Sequence, residues 1–497
     1  MGAVLRRAAL SPNIKDRLDF SCALFDRNGD LLAQSAAIPV HLGSMAYAMG
    51  DLVNRHRWQA GQHLIVNDPF MGGTHLPDVT LISALHIGDE LVGFVANRAH
   101  HADIGSEAPG SMPISRSIEQ EGCIIPPTLL DTDARHPFAQ LVRTFRDPQA
   151  ATADFSAQLA ANKSGLAQLR KLVAVEGGFE SFQGCCLDQN EYAAALARAA
   201  LAEIPNGVYE FTDTLDSDGF STQALPLKIK LTVLDGHVTA DFSGSCDQVT
   251  GNLNCPLPVT AAAVMYALRG LMPSTVPQCA GLMATVTIDA PGGSILNARH
   301  PAAVAAGNVE TSQRVCDLVL GALAQAAPDR IPAASQGTMN NVAMGGHWRG
   351  SAWSYYETIG GGMGGGANYD GQSAVQCHMT NTLNTPAEVL EQYCPVRIER
   401  YRIRTNSGGR GEHSGGDGIT REYRFLEDAE VSIIGERRVS RPWGLWGGQP
   451  GRPAEDRLDG EAIPAKTSLS VRPNQLLSIA TPGGGGWCPP AQHDKLK

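Results

Sequence analysis

Residues 72 to 113, "GGTHLPDVTLISALHIGDELVGFVANRAHHADIGSEAPGSMP", gather four of the chain's 14 histidines, His75, His86, His100 and His101, beside several acids. "VTLISALHI" and "LVGFVAN" are strand-like apolar runs, and "LVGFVANRA" fits the return arm of a hairpin. Pro77 disfavours helix between His75 and Asp78 and implies a turn that aims both side chains to one side. His100 follows Asp78 by 22 residues, at the end of the return arm, so the loop ends of one hairpin would bring His75, Asp78 and His100 together. A mixed histidine and carboxylate set suits a divalent ion such as Zn, Mn or Fe, with positions left for water or substrate. In extended chain adjacent side chains point to opposite faces, so at most one of His100 and His101 reaches the metal and the other is left for outer support or acid/base work. The competing reading is a polar turn with hydrogen-bonded core histidines, because H-x-x-D is a short pattern. His86 reads as a surface residue at a strand end. His41 in "IPVHLGSM" and His378 in "QCHMTNT" are lone histidines among apolar neighbours and are expected in the core, bonded to backbone.

Outward from this stretch, the sequence divides into four regions that together make a large multi-domain chain of mixed α/β class. Residues 1–127 form a β-rich region carrying the metal site, with a hairpin at "DRNGDLL" where Asn28-Gly29 separates two apolar runs. Residues 128–204 are helical: "ATADFSAQLAANKSGLAQLRKLVAV" and "NEYAAALARAALAEI" keep a 3.6-residue period, the second capped by Asp188 or Asn190 and ended at Pro205-Asn206-Gly207. Residues 205–330 return to strands, with Asp-Gly turns at 218–219 and 235–236, before two helical runs. Residues 331–497 alternate β-like segments with glycine-rich loops.

A length of 497 residues exceeds one ordinary core at roughly 150 residues per domain. The net charge of −11, with no Lys/Arg cluster to offset it, excludes a nucleic-acid groove. No apolar run reaches the roughly 18 residues needed to span a bilayer, and the first residues lack a signal-peptide core, so a cytoplasmic chain without a membrane partner is expected. Eleven scattered cysteines without a C-x-x-C read as buried free thiols. "GGGMGGG" (Gly360 to Gly366) offers backbone amides for an anion, but no phosphate-loop lysine follows it and no nucleotide site is recognisable. Ser111 and Ser44 are conceivable nucleophiles, yet no G-x-S-x-G frames either.

Several motifs in one order, "MGAVLRRAALSPNIKDRLDFSCALFD", "GTHLPDVTLI", "RAHHADIGSEAPGSMP", "MTNTLNTPAEVLE" and "TPGGGGW", resemble the hydantoinase B family across essentially the whole chain. Its relatives are the C-terminal half of 5-oxoprolinase, the second subunit of N-methylhydantoinase and caprolactamase, and the large subunit of acetone carboxylase. The resemblance implies a partner, a hydantoinase A-type subunit that binds ATP and Mg and phosphorylates a carbonyl or bicarbonate, while the B-type chain holds a metal and completes the reaction. It places metal ligands on His75, Asp78 and His100, with Asp19 in "RLDFSC" preferred over Asp16 as a further acid, and leaves His101 or Asp103 to accept a proton as catalytic residues. Members of that family begin roughly 25 to 35 residues before the segment that matches Met1, so the resemblance implies either a truncated chain or a late start here. The activity implied is ATP-dependent hydrolysis of a cyclic amide: a hydantoin, 5-oxoproline or a lactam. Its rivals are a subunit of an ATP-dependent ketone carboxylase, against which length weighs, and a non-catalytic scaffold with a decayed site. For the substrate pocket the sequence offers only the "YYETIGGGMGG" loop.

Overall fold

The computed structural model describes residues 1–35, 38–130 and 137–490. Helices α1 (Gly2–Ala8) and α2 (Pro12–Lys15) lead into a sheet of β1 (Phe20–Asp26), β2 (Leu31–Gln34), β3 (His63–Val66), β4 (Asp78–Ile87), β5 (Glu90–His100) and β6 (Thr128–Leu130), ordered β2-β1-β5-β4-β3-β6. The "DRNGDLL" turn joins β1 to β2, and the Asp26 carboxylate accepts the amides of Asn28 and Asp30, both at 2.8 Å. The sheet is covered on both faces, by α3 (Pro39–Asn54) on one side and α4 (Pro148–Val175) on the other. The alternation of β5 assigns each residue to one of them: Phe94 and Ala96 pack among α3 residues and Arg98 donates to Ser44 of α3, whereas Asn97 donates to Gln158 and Asn162 of α4.

Asp147 caps α4 by accepting the Ala150 amide at 2.9 Å. The following α5 is one continuous helix, Phe179–Leu201, so Asp188 and Asn190 lie inside it and cap nothing. Phe182 and Cys186, four apart, bury beneath the sheet, and this packing together with the Gly177-Gly178 break sets the start upstream of the polar residues.

The second sheet, β7 (Gly207–Leu215), β8 (Leu225–Leu234), β9 (His237–Asp241) and β10 (Val286–Asp289), is ordered β10-β9-β8-β7 and shares a large apolar core with α6 (Leu257–Arg269) and α7 (Ser312–Ala324). Asp235-Gly236 makes the tight turn expected there, with φ of 48° and 76°. Asp218-Gly219 does not: it sits in a longer connection, where Asp218 accepts the amides of Phe220 and Ser221.

Beyond residue 330 two more sheets form. One comprises β11 (Asn341–Trp348), β12 (Ser351–Thr358), β15 (Ala429–Ile434) and β18 (Lys466–Val471). The other comprises β13 (Val396–Arg404), β14 (Gly418–Phe425), β16 (Glu455–Leu458), β17 (Glu461–Ala462) and β19 (Leu476–Ala480). Their glycine-rich connections pack backbone on backbone: a Cβ at Gly362 would lie 1.9 Å from the Gly416 carbonyl oxygen, and one at Gly364 would lie 1.8 Å from that of Ala333. The amides of Gly361, Gly362, Met363 and Gly365 donate to the carbonyls of Val375, Pro482, Gln372 and Gly485. The anion cradle suggested by "GGGMGGG" is therefore absent, because its donors are spent within the fold.

All eleven cysteines are free thiols, most of them buried as expected, with Cys185 exposed. No helix among the described residues is long and apolar enough to cross a membrane.

Candidate metal centre

The β4–β5 hairpin pairs Asp78 directly with His100, so both side chains leave the same face of the sheet, toward α3. His75 precedes β4 in a turn closed by the Asp78 amide on the His75 carbonyl at 3.0 Å. His75 Nε2 and His100 Nδ1 each lie 3.2 Å from Asp78 Oδ1. The three side chains offer ligand atoms within 4.8 Å of one another, and all are buried.

The surroundings fix each ligand. The Ala305 carbonyl oxygen lies 3.0 Å from His75 Nδ1 and accepts its N–H, which leaves the Nε2 lone pair at the centre. Asp78 Oδ2 accepts from the Thr74 hydroxyl at 2.7 Å and the Asn308 amide at 3.2 Å, which leaves Oδ1 for the same point. Tyr356 of β12 stacks on the His100 ring, with centroids 4.8 Å apart and planes 10° apart. His75 Nε2, Asp78 Oδ1 and His100 Nε2 are buried without a hydrogen-bond partner. Two imidazoles and a carboxylate whose ligand atoms lie this close together, each with a buried atom left unpartnered, are a donor set that fits a divalent cation.

The electrostatics agree. Burial pushes the Asp78 carboxyl up, but His41 and His75 beside it hold it well below the usual carboxylate range. Burial pulls His75 down and Asp78 overrides it, so the net direction is upward, whereas for His100 burial wins and its imidazole titrates low. Glu121, whose Oε1 accepts the amides of Val304 and Ala305, is pushed up to about 7 by burial.

Two further residues lie beside the triad. Asp19, just ahead of β1, accepts the His100 amide on its backbone carbonyl at 3.0 Å, and its carboxylate lies 3.7 Å from Arg17 Nη2. His41, from the first turn of α3, lies 3.2 Å from Asp78 Oδ2 and 3.9 Å from Asp19 Oδ1. The expectation that His41 is a core histidine bonded to backbone does not hold, because the packing of α3 on the hairpin's inner face carries it to the acids. Only the i, i+2 alternation of β5 together with a helix on that face could have signalled it.

His101 and Asp103 are not brought to the triad. His101 leaves the opposite face, with Nε2 2.9 Å from the Gln158 side-chain oxygen and its ring stacked on Phe155 at 4.2 Å. Asp103 accepts the amides of Gly105 and Arg146 and, at 3.4 Å, the Ser111 hydroxyl. Asp16 lines a separate cavity with His101 and Asp103. Ser44 donates to the Val40 carbonyl and accepts from Arg98, so it stands beside no base, whereas the Ser111 hydroxyl, which also accepts the Ile104 amide at 2.8 Å, faces the Asp103 carboxylate with no histidine between them.

This α/β chain with a two-histidine, one-carboxylate centre belongs to the Hydantoinase B/oxoprolinase family, which it matches over residues 1–490. The 5-oxoprolinase 1 of Arabidopsis thaliana is 38% identical over 98% of the chain, which spans only 40% of that protein's length. A putative D-/L-hydantoinase B-type subunit of Pseudomonas sp. (strain NS671) is 30% identical over 100% of this chain and 88% of its own. Among solved structures, the ATP-dependent caprolactamase of Pseudomonas jessenii superposes with a TM-score of 0.91 at 27% identity, covering 98% of this chain and 88% of that one.

Proposed function

We propose that this chain is the metal-binding B-type subunit of a cytoplasmic, ATP-dependent cyclic amide hydrolase, working with an A-type subunit that binds ATP and Mg. The observation that carries it is the buried set of unpartnered atoms on His75, Asp78 and His100. The likeness to a caprolactamase and to 5-oxoprolinases supports the reaction class.

His75, Asp78 and His100, with Asp19 as a further ligand, would hold a Zn, Mn or Fe ion, which would supply Lewis acidity and lower the pKa of water. The chain's own residues do the rest. The Ala305 carbonyl holds the His75 tautomer, Tyr356 covers the His100 ring, and the buried hairpin keeps bulk water away. His41 Nε2, between the carboxylates of Asp78 and Asp19, can hold or pass a proton at that atom. The proton-accepting role expected of His101 or Asp103 has no direct path across the sheet, which favours His41. Amide resonance makes the ring resist hydrolysis, and converting its carbonyl oxygen to a phosphate ester creates a leaving group, so ATP is consumed on the partner.

The test combines the purified chain with its ATP-binding partner, ATP and a panel of hydantoins, lactams and 5-oxoproline. Ring opening and ADP release should need both proteins, with no ATPase activity in the chain alone. Ring opening by the chain alone, without ATP, would refute this division of labour.

A further inference from the structure

Several buried carboxylates of this chain are matched by cations. Asp317 Oδ2 accepts from Arg437 Nη2 at 2.9 Å, and its Oδ1 lies 3.0 Å from His378 Nε2, so the histidine expected in the core and bonded to backbone is instead paired with an acid. Glu357 lies 3.0 Å from Arg421 Nε, and Asp456 lies 3.0 Å from Arg438 Nε. Asp103 and Asp154 are not matched. They are 8% and 2% exposed, and neither has an ion-pair partner among the described residues. Neutral donors hold them: Asp154 Oδ1 accepts the amides of Leu10 and Ser11 at 2.7 and 3.2 Å, and Asp103 accepts those of Gly105 and Arg146. Such bonds orient a carboxylate, yet a charge taken out of water calls for a countercharge.

Both acids line a cavity of about 390 Å³ bounded by the α1–α2 segment, the start of α4, β12 and α8 (Ala387–Tyr393). His101 stands on the same wall. Gln158 Nε2 donates to the Val79 carbonyl and to Asn97 Oδ1, so its own side-chain oxygen accepts from His101 Nε2–H, and Nδ1 carries the lone pair. With the Nε2 edge on Gln158 and one face on Phe155, the ring turns its remaining edge to the cavity. Its Nδ1 is buried and without a partner, as is the Ser11 hydroxyl. Four acids line this space, Asp16, Asp103, Asp147 and Asp154, against two bases, Lys15 and Arg146. A bare divalent ion would need ligand atoms that converge, and among the described residues only His75, Asp78 and His100 bring three within 4.8 Å of one another. A larger cation that carries its own hydrogen-bond donors suits the cavity better.

We propose that this cavity binds a small primary ammonium ion, its N–H donors meeting the Asp154 carboxylate and His101 Nδ1, and its carbon chain lying against Leu10, Trp353, Tyr355 and Leu390. Asp103 adds negative potential, and the aromatic rings favour a cation over their faces. The site lies on the α4 side of the first sheet, away from the metal centre, and the proposal does not depend on the hydrolase reading.

Calorimetric titration of the full chain at neutral pH with n-butylamine, 1-butanol and butanoate tests it. Butylammonium should bind at least tenfold more tightly than either of the others, which share its chain without its positive charge. Adding 4-aminobutanoate distinguishes a free amine from an amino acid as the natural ligand, since its carboxylate gains affinity only where Lys15 and Arg146 take part. Asp154→Asn, which keeps the oxygen that accepts the Leu10 and Ser11 amides and removes the charge, should weaken butylammonium at least tenfold. His75→Ala should leave its affinity within twofold. If Asp154→Asn fails to fold, Ala352→Trp, which fills the cavity from β12, should abolish binding. No binding of butylammonium, equal affinity for 1-butanol, or affinity unchanged in the folded variants would overturn the proposal.

Discussion

Two buried polar regions of this molecule differ in how they are compensated. Around Arg437, cations and carboxylates alternate: Arg437 with Asp213 and Asp317 at 2.9 Å, Arg438 with Asp456 at 3.0 Å, and Lys466 with Glu436 at 2.5 Å. At the hairpin, His75, Asp78 and His100 bring ligand atoms within 4.8 Å of one another, and each keeps a buried atom without a partner. Both are sealed from solvent. A paired set holds strands from distant parts of the chain in place, whereas convergent orphan donors call for a further, cationic partner.

The largest expected effect would break this contrast at the hairpin. His75→Ala should lower divalent-metal affinity by more than about 100-fold while leaving the fold intact, since its loss disturbs only local packing. Elemental analysis of the folded variant checks it, and unchanged metal would remove the site. In the Arg437 network the converse holds: Arg437→Ala should cost about 3 kcal/mol in denaturant unfolding, because the buried Asp213 and Asp317 lose the guanidinium they share and keep only Arg314 at 3.5 Å and His378 at 3.0 Å. Its metal content should match the wild type.

A smaller effect appears in acid. Burial pushes Asp216 up, but hydrogen bonds from the Ser440 hydroxyl and the Val439 and Ser440 amides override it and bring it down to about 2. A carboxyl with a depressed folded pKa stabilises above its unfolded value and loses that contribution as pH falls toward 2, here about 2 kcal/mol. Unfolding measured from pH 5 downward should therefore show a shallower loss in Asp216→Asn. The smallest effect belongs to a solvent-facing pair, Arg397 with Glu399 at 2.8 Å, the Arg397 side chain being 57% exposed. Arg397→Ala should change stability by less than about 1 kcal/mol, which sets the scale for the buried ion pairs.

The sequence by itself determined the hairpin. Pro77, the strand-like runs and the distance from Asp78 to His100 sufficed to bring three candidate ligands together, because they lie in one stretch whose geometry is set by strand period and turn. It also determined that His100 and His101 part to opposite faces, the long helical runs of the middle region and the family. It misjudged the start of α5, where buried Phe182 and Cys186 outweigh capping preference, and the glycine run, whose amides bond to other loops.

Only the tertiary structure decided which distant residues join each site. His41 reaches Asp78 because α3 packs on the hairpin's inner face, and His378 meets Asp317 because a glycine-rich loop settles against α7. Asp19 illustrates the middle case: its motif marked it, and pairing of β1 with β5 put it beside His100. Within one hairpin the backbone limits where side chains can go. Across hundreds of residues their distance is set by how whole layers pack, a property of all the buried side chains together that no local spacing encodes.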